Sequence, residues 1–285
     1  MGKRGAQRAA HTPLGYAWEK YHNGQRFFRI QDYPKAILCF ENALNDFVQL
    51  TDQEGEATCC SALAAAYGNN NMYEFALPFA QRAISLFDLL GRQEKVASQR
   101  QSLALIYLGC EQTEQAEQCY RQVIDDFENI KYFEEAGRNA HTLANMLAHR
   151  QELDQARRHF HRAIGLYYQV PREAVEHTQA IALMQLAFLE KLSGDYDASK
   201  LLYTEALEIF ERYQSYWEVG TCYEGLAIAE YSTGAPHVAV VHAKTALDVF
   251  QQHGFREDAL RARINYQAVQ IAIEDLCRQH QNDDT

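Results

Sequence analysis

Six segments of this chain are copies of one another, and no other feature limits its fold as strongly. DYPKAILCFENALNDF from Asp32, MYEFALPFAQRAISLF from Met72 and QTEQAEQCYRQVIDDF from Gln112 align without a gap. ELDQARRHFHRAIGLY from Glu152, DYDASKLLYTEALEIF from Asp195 and APHVAVVHAKTALDVF from Ala235 complete the set. The small residue in the fifth column is Ala36, Ala76, Ala116, Ala156, Ser199 and Ala239, so successive steps are 40, 40, 40, 43 and 40 residues. A fixed period in this range marks a solenoid, in which each unit buries its apolar face only against its neighbours.

Each copy reads as two helices. In the second, Ala57, Cys60, Leu63, Ala64 and Tyr67 recur at helical spacing from Glu54 to Asn69, and Thr51 followed by Glu54 predicts a capping box at the start. Asn69, Asn70 and Asn71 break that helix, because Asn competes for backbone hydrogen bonds and tolerates the left-handed region. Tyr73, Ala76, Leu77, Ala80, Ala83, Ile84 and Phe87 then form the stripe of a second helix, which must fold back antiparallel on the first. Gly194-Asp195 and Gly234 mark the same turn in later copies, and Pro236 suits a helix start. Pro78 lies inside its helix and predicts a bend.

Thr12-Pro13 predicts the first N-cap. The expected organisation is six repeats over about 13–50, 51–90, 91–130, 131–170, 171–213 and 214–255. A thirteenth helix over 256–279 follows, its charged face (Arg256, Glu257, Asp258, Arg261, Arg263, Glu274, Asp275) suited to closing the stack. Residues 1–12 and 280–285 are expected to be disordered tails, the first made basic by Lys3, Arg4 and Arg8.

Lys and Arg number 27 against 38 Asp and Glu, a formal charge of -11, which disfavours phosphate backbones and acidic lipid surfaces. The seven Cys have no CxxC or metal-ligand spacing, and most stand where small apolar residues of the repeat belong. There is no apolar leader and no uncharged apolar run near the roughly 20 residues needed to span a membrane. These features predict a cytoplasmic protein with reduced thiols, no membrane insertion and no nucleic-acid partner.

The repeat columns resemble the tetratricopeptide repeat: a Leu and a small residue side by side in the first helix, an aromatic three residues later, then Ala, aromatic, Ala down the second. The chain offers Leu63-Ala64-Tyr67 with Ala76 and Ala83, and Leu103-Ala104-Tyr107 with Ala116, Tyr120 and Val123. Leu143-Ala144 leads to Ala156, Phe160 and Ala163, Leu186-Ala187 to Ser199, Tyr203 and Ala206, and Leu226-Ala227 to Ala239 and Ala246. In the first copy Gly24 and Phe27 precede Ala36, Phe40 and Ala43. Glu190 and Glu230 stand where the pattern has an aromatic, so close packing of those two helices does not follow from the resemblance.

The spacing of about 40 rather than 34 is similar to the long-repeat branch of kinesin light chains, spindle-orientation adaptors and peptide-sensing bacterial regulators. The N-terminal module of those regulators is not expected here, since only a dozen residues precede Pro13. The resemblance implies an all-α, right-handed solenoid of six helical hairpins plus the capping helix. It also implies a concave groove, lined by the first helix of each pair, that binds extended or helical peptides.

Projected onto that groove, the first copy presents Tyr21 and Gln25, the third Gln101, and the fourth Arg138, His141, Thr142, Asn145 and His149. The fifth presents Ile181, Met184, Gln185 and Phe188, and the sixth Thr221, Glu224, Ile228 and Tyr231. Arg138, His141, Asn145 and His149 stack along one helix face, either as a solvated polar face or as a recognition stripe. An Asn can bond a peptide backbone through both its donor and its acceptor, and an Arg can hold a carboxylate. Met184, Phe188 and Ile181 are either an apolar anchor pocket or core packed against the three-residue insertion near YYQVPREAVEHTQ.

No GxSxG, HExxH, Walker or Rossmann loop is present, and no cofactor is expected. His141 and His149 are two helical turns apart, about 12 Å, too far to share one ion. The expected function is therefore a non-enzymatic adaptor or regulator for a protein or peptide partner. The alternatives are a self-associating scaffold and an enzyme accessory factor.

Overall fold

A computed structural model describes residues 12–283, with only the backbone of 275–277 and 279–283 described in the last stretch. The expectations for the N-terminal tail, including Lys3, Arg4 and Arg8, lie outside the described residues. Thirteen helices account for the described chain: α1 (Pro13–Arg29), α2 (Tyr33–Gln49), α3 (Gln53–Asn69), α4 (Tyr73–Leu89), α5 (Gln93–Gly109), α6 (Thr113–Asn129) and α7 (Phe133–His149) come first. They are followed by α8 (Leu153–Tyr167), α9 (Arg172–Leu192), α10 (Tyr196–Tyr213), α11 (Tyr216–Ser232), α12 (Pro236–Gln252) and α13 (Arg256–Asp283). All-α repeat architecture follows directly from the columns of the sequence.

The turns show a finer period than the sequence alignment. Gln31, Thr51, Asn71, Gly91, Glu111, Lys131 and Gln151 all have φ between 54° and 67°, and they recur every 20 residues. Gly194, Gln214, Gly234 and Gly254 continue the series at the same step. At each, two backbone bonds close the preceding helix; at the first, Gln31 N–H donates to Phe28 O and Asp32 N–H to Phe27 O, both 3.0 Å. This is the Schellman pairing that satisfies the last carbonyls of a helix. Turns within a hairpin and turns between hairpins are thus the same device, and the 40-residue repeat is two structurally alike halves.

The one different connection is the one the 43-residue step points to. Here α8 is 15 residues and α9 is 21, against 17 in most others, and Tyr168–Pro171 joins them with Pro171 as N-cap of α9. Pro171 has no N–H to donate into such a pairing, and its φ of -52° starts a helix instead.

One start signal differs from expectation. Asp32 and Asp195 cap as their position suggests, each carboxylate accepting from the backbone N–H three residues on, and Thr12 Oγ1 accepts from Gly15 N–H at 3.0 Å. The cap of α3, however, is Asp52, which accepts from Gly55 N–H at 3.1 Å, and not Thr51. Thr51 is the left-handed turn residue, φ 54°, so it cannot also open the helix. Pro78 falls inside α4 without ending it.

The chain divides into two units, Met1–Asn139 and Ala140–Thr285. In the first, Phe40, Phe47, Leu63 and Phe87 form the centre of a core sealed by Ala36, Ala43, Ala57 and Ala83. In the second, Phe160, Tyr167, Tyr203, Phe210 and Phe250 are 2 % exposed or less. Burying each such aromatic contributes roughly 1.5–3 kcal/mol.

The substituted column is also explained in the second unit. Glu190 is 2 % exposed and is gripped by Arg157, whose Nε donates to Oε1 at 2.9 Å and Nη2 to Oε2 at 2.5 Å. An Arg fork replaces the missing aromatic contact, which lets a carboxylate sit in the core. Glu230 is half-buried with Lys200 Nζ 3.7 Å away.

The closing helix departs from expectation as well. Ala259 and Ala262 pack against Phe250 and Leu247, while Leu260, Ile264 and Ile271, each about 60 % exposed, face outward. The outer face is therefore apolar as well as charged. The helix also runs to Asp283 rather than Gln279, because no Gly or Pro interrupts it.

Candidate functional site

Residues in one column of successive first helices lie side by side when hairpins stack, and the second unit shows what this produces. The Leu-Ala pairs place Asn145 of α7 in register with Phe188 of α9 and Ile228 of α11, and likewise His141 with Met184 and Glu224. A cavity of about 410 Å³ opens here, lined by Asn145 and His149 from α7, Met184, Gln185, Phe188, Leu189 and Leu192 from α9, and Trp217 and Thr221 from α11. Phe160 and Tyr203 form its floor from α8 and α10. Asn145 and His149 of the polar stripe and Met184 and Phe188 of the apolar cluster line this one cavity.

His141 stands behind this cavity. Its ring lies 5.6 Å from that of Phe160, and its Nε2 is 2.5 Å from Gln185 Oε1. Burial pushes the imidazole pKa below its ordinary value, opposed by the bond to Gln185, so the ring is held neutral. Neutral His141 donates its Nε2–H to Gln185 Oε1, a bond that does not use the Gln185 amino group. Asn145, half-buried, adds a second carboxamide with donor and acceptor. Phe188 is 47 % exposed with Lys191 Nζ 4.7 Å above its ring. Burial also lowers the Lys191 pKa, partly offset by Glu224. Trp217 is steadied at the mouth by Nε1–H donating to Asp258 Oδ2 at 3.3 Å.

The remaining predicted residues are placed differently. Arg138 is exposed, and its guanidinium meets Glu134 at 3.3 Å and Glu135 at 3.0 Å on its own helix. Thr142 is exposed, and Gln101 is half-buried on α5; neither lines the cavity. In the first unit Gln25 Nε2 donates to the Tyr21 hydroxyl at 3.0 Å, and the two line a cavity of about 210 Å³ with Phe28, Arg29 and Phe40. Sequence reading missed Trp217 and Tyr203. Trp217 was within reach, since it lies four residues before Thr221 on the same face. Tyr203, on a second helix, reads as core and is both.

Among the described residues no group of three or more His, Cys, Asp or Glu side chains could hold a metal ion, and no helix is long and apolar enough to cross a membrane. Burial pushes the Cys59 thiol up to about 12 and that of Cys60 up to about 11, which makes both poor nucleophiles at neutral pH.

Residues 178–252 match the family model of the tetratricopeptide repeat. That segment carries tetratricopeptide repeats. Its fold is similar to that of a signal transduction ATPase from Pyrococcus horikoshii with a tetratricopeptide repeat sensor, at TM-score 0.66 and 15% identity over 90% of this chain and 39% of that one. It is also similar to BtubC of P. vanneervenii (TM-score 0.60, 18% identity, 74% of this chain and 87% of that one). Aspartyl phosphate phosphatase F of Bacillus subtilis gives TM-score 0.57 and 13% identity over 94% of this chain and 73% of that one. No curated protein matches the chain in sequence. At these identities the likeness is one of fold. Stacked helical repeats of this kind present extended concave surfaces for binding.

Proposed function

We propose that this chain is a protein-interaction module, an adaptor or regulator, that holds a segment of a partner protein on the first-helix face of its repeats. The observation that carries this reading is the cavity beside Asn145 and Phe188: apolar walls with a few convergent carboxamides, the usual make-up of a recognition pocket. The buried thiols Cys59, Cys60 and Cys222 support a reducing, cytoplasmic setting. A charge of -11 disfavours nucleic acid.

Quantitative mass spectrometry of proteins retained by the wild-type chain and by an Asn145→Ala/Phe188→Ala variant tests the reading. Both positions are at least partly exposed, so the variant keeps its helical circular dichroism. One or more proteins should be retained by the wild type and reduced at least tenfold on the variant. Identical retention on both would remove this face as the binding surface.

Self-association is a second reading, favoured by the outward Leu260, Ile264 and Ile271 of α13. Sedimentation velocity decides it: a monomer at tens of micromolar excludes a scaffold built through that helix.

A further inference from the structure

The sixth copy departs from the others in two columns at once. In the aromatic column of the first helix the copies read Phe27, Tyr67, Tyr107, Leu147, Glu190 and Glu230. In that of the second helix they read Phe40, Ala80, Tyr120, Phe160, Tyr203 and Ala243. Every copy but the last therefore keeps a ring in at least one column.

The second unit shows where that ring sits. Tyr203 of α10 is buried with its ring against α11, so close that a Cβ on Gly225 would lie 2.3 Å from it. Forty residues on, the same two positions hold Ala243 of α12 and Asn265 of α13, and both line a cavity of about 240 Å³. The second copy also has Ala in this column, but there Tyr67 stacks on Phe79 with centroids 5.7 Å apart. The sixth has Glu230 and His242 in those columns, and His242 stacks on Tyr223 instead. The cavity is thus the place of a ring that the last copy does not supply.

Its lining sets the chemistry. Buried Ala227, Ala243 and Ala262, one each from α11, α12 and α13, form the floor, and exposed Ile228, Tyr231 and Ala268 stand at the mouth. The carboxylate of the lining is already taken: Glu224 accepts from Arg261 at 2.7 Å and from Asn265 at 3.2 Å. An anion would lie beside Glu224, and a cation would have to compete with Arg261, so a neutral ligand fits best. An apolar cavity of about 150 Å³ already takes up benzene, so one of about 240 Å³ suits one ring or two fused rings. A free ring enters whole, whereas a ring on a peptide brings backbone N–H and C=O groups to the apolar mouth.

We propose that the last repeat and α13 bind a small neutral aromatic molecule of one or two fused rings, held where Tyr203 sits one repeat earlier. This site goes beyond the interaction reading above and stands without it. The ring touches α11, α12 and α13 together, so its binding ties the closing helix to the last hairpin.

Indole titrated into the full chain, labelled with carbon-13 at alanine, isoleucine and methionine methyl groups, tests this by NMR. The signals of Ala227, Ala243, Ala262 and Ile228 should shift together and saturate, with a Kd of about 1 mM or tighter. Indole-3-acetate, which adds a carboxylate, should bind at least tenfold more weakly. Ala243→Phe supplies the ring from the chain itself and should weaken indole at least tenfold. If that variant does not fold, the wild-type shifts decide alone.

Indole that leaves these methyl groups unmoved at several millimolar, or that shifts only Met184 in the other cavity, overturns the inference. So does affinity that a folded Ala243→Phe variant leaves unchanged, or indole-3-acetate that binds as tightly as indole. Methyl groups that ignore indole but respond to a tryptophan-containing peptide would assign the cavity to a partner's side chain, against the proposal.

Discussion

His141 packs its imidazole against Phe160 and bonds Gln185, and its pKa is lowered by burial. The folded form therefore resists a proton that the unfolded chain accepts near pH 6.5. Stability from this group is fully present above that pH and is lost as pH falls through it toward the lower folded value. His242, stacked on Tyr223 and also lowered by burial, acts in the same direction. The urea midpoint should fall between pH 7.5 and pH 5.5, and the fall should be shallower in His141→Gln, which has no proton to gain; an unchanged slope would show that the ring is solvated. Glycine packing gives a second test at this scale. A Cβ on Gly225 of α11 would lie 2.3 Å from the ring of Tyr203, which is 2 % exposed and has nowhere to move. Gly225→Ala should therefore cost about 1–3 kcal/mol of unfolding free energy by overpacking, and a neutral result in chemical denaturation would mean the two helices can part there.

The element that repeats most regularly, the left-handed turn residue, was legible where Asn or Gly supplies it, as at Asn71, Gly194 and Gly234, and not elsewhere. Gln31, Lys131 and Gln214 occupy this conformation with side chains that carry no signal for it. What places them there is the pair of backbone bonds that closes each helix, a property of two elements meeting and not of one residue type. Thr51 is the least suited of the set, since a β-branched side chain at φ 54° crowds its own backbone. Relief of a strain of about 1–2 kcal/mol should make Thr51→Gly raise the thermal midpoint, less the greater entropy of a glycine in the unfolded chain. A lower midpoint would show that the Thr51 hydroxyl bond to Leu50 O, 2.7 Å, outweighs the strain. The candidate site was legible to the same extent. Column spacing brought out Asn145, His149, Met184, Gln185 and Phe188, because residues in register on stacked helices must be neighbours. The His141–Gln185 bond was not, since it depends on rotamers that no spacing encodes. Nor was the grip of Arg157 on Glu190, since the column shows that Glu190 departs from the pattern but not which cation of the preceding second helix meets it.

A stack of helical pairs holds each element only through its neighbours, so damage at one end should remain local. In the second unit the last repeat depends on α13: Phe250 is 0 % exposed and Leu247 6 %, with Ala259 and Ala262 of that helix packed against them. Arg261 reaches across to Glu224, which tethers the same helix to α11. Removal of residues 256–285 would strip both contacts at once, uncovering apolar surface and leaving Glu224, 9 % exposed in the whole chain, without its cation. Amide hydrogen exchange on the shortened chain should show protection lost from α11 and α12, while α1 to α4, which belong to the other unit, keep their rates. The cavity of about 240 Å³ that Glu224, Ile228 and Tyr231 line together with Ala262, Asn265 and Val269 of α13 should vanish with that wall. If α12 kept its protection, α13 would be an appendage whose exposed Leu260, Ile264 and Ile271 serve another contact. If α1 to α4 lost theirs too, the repeats would be cooperating over a longer range than nearest-neighbour packing provides.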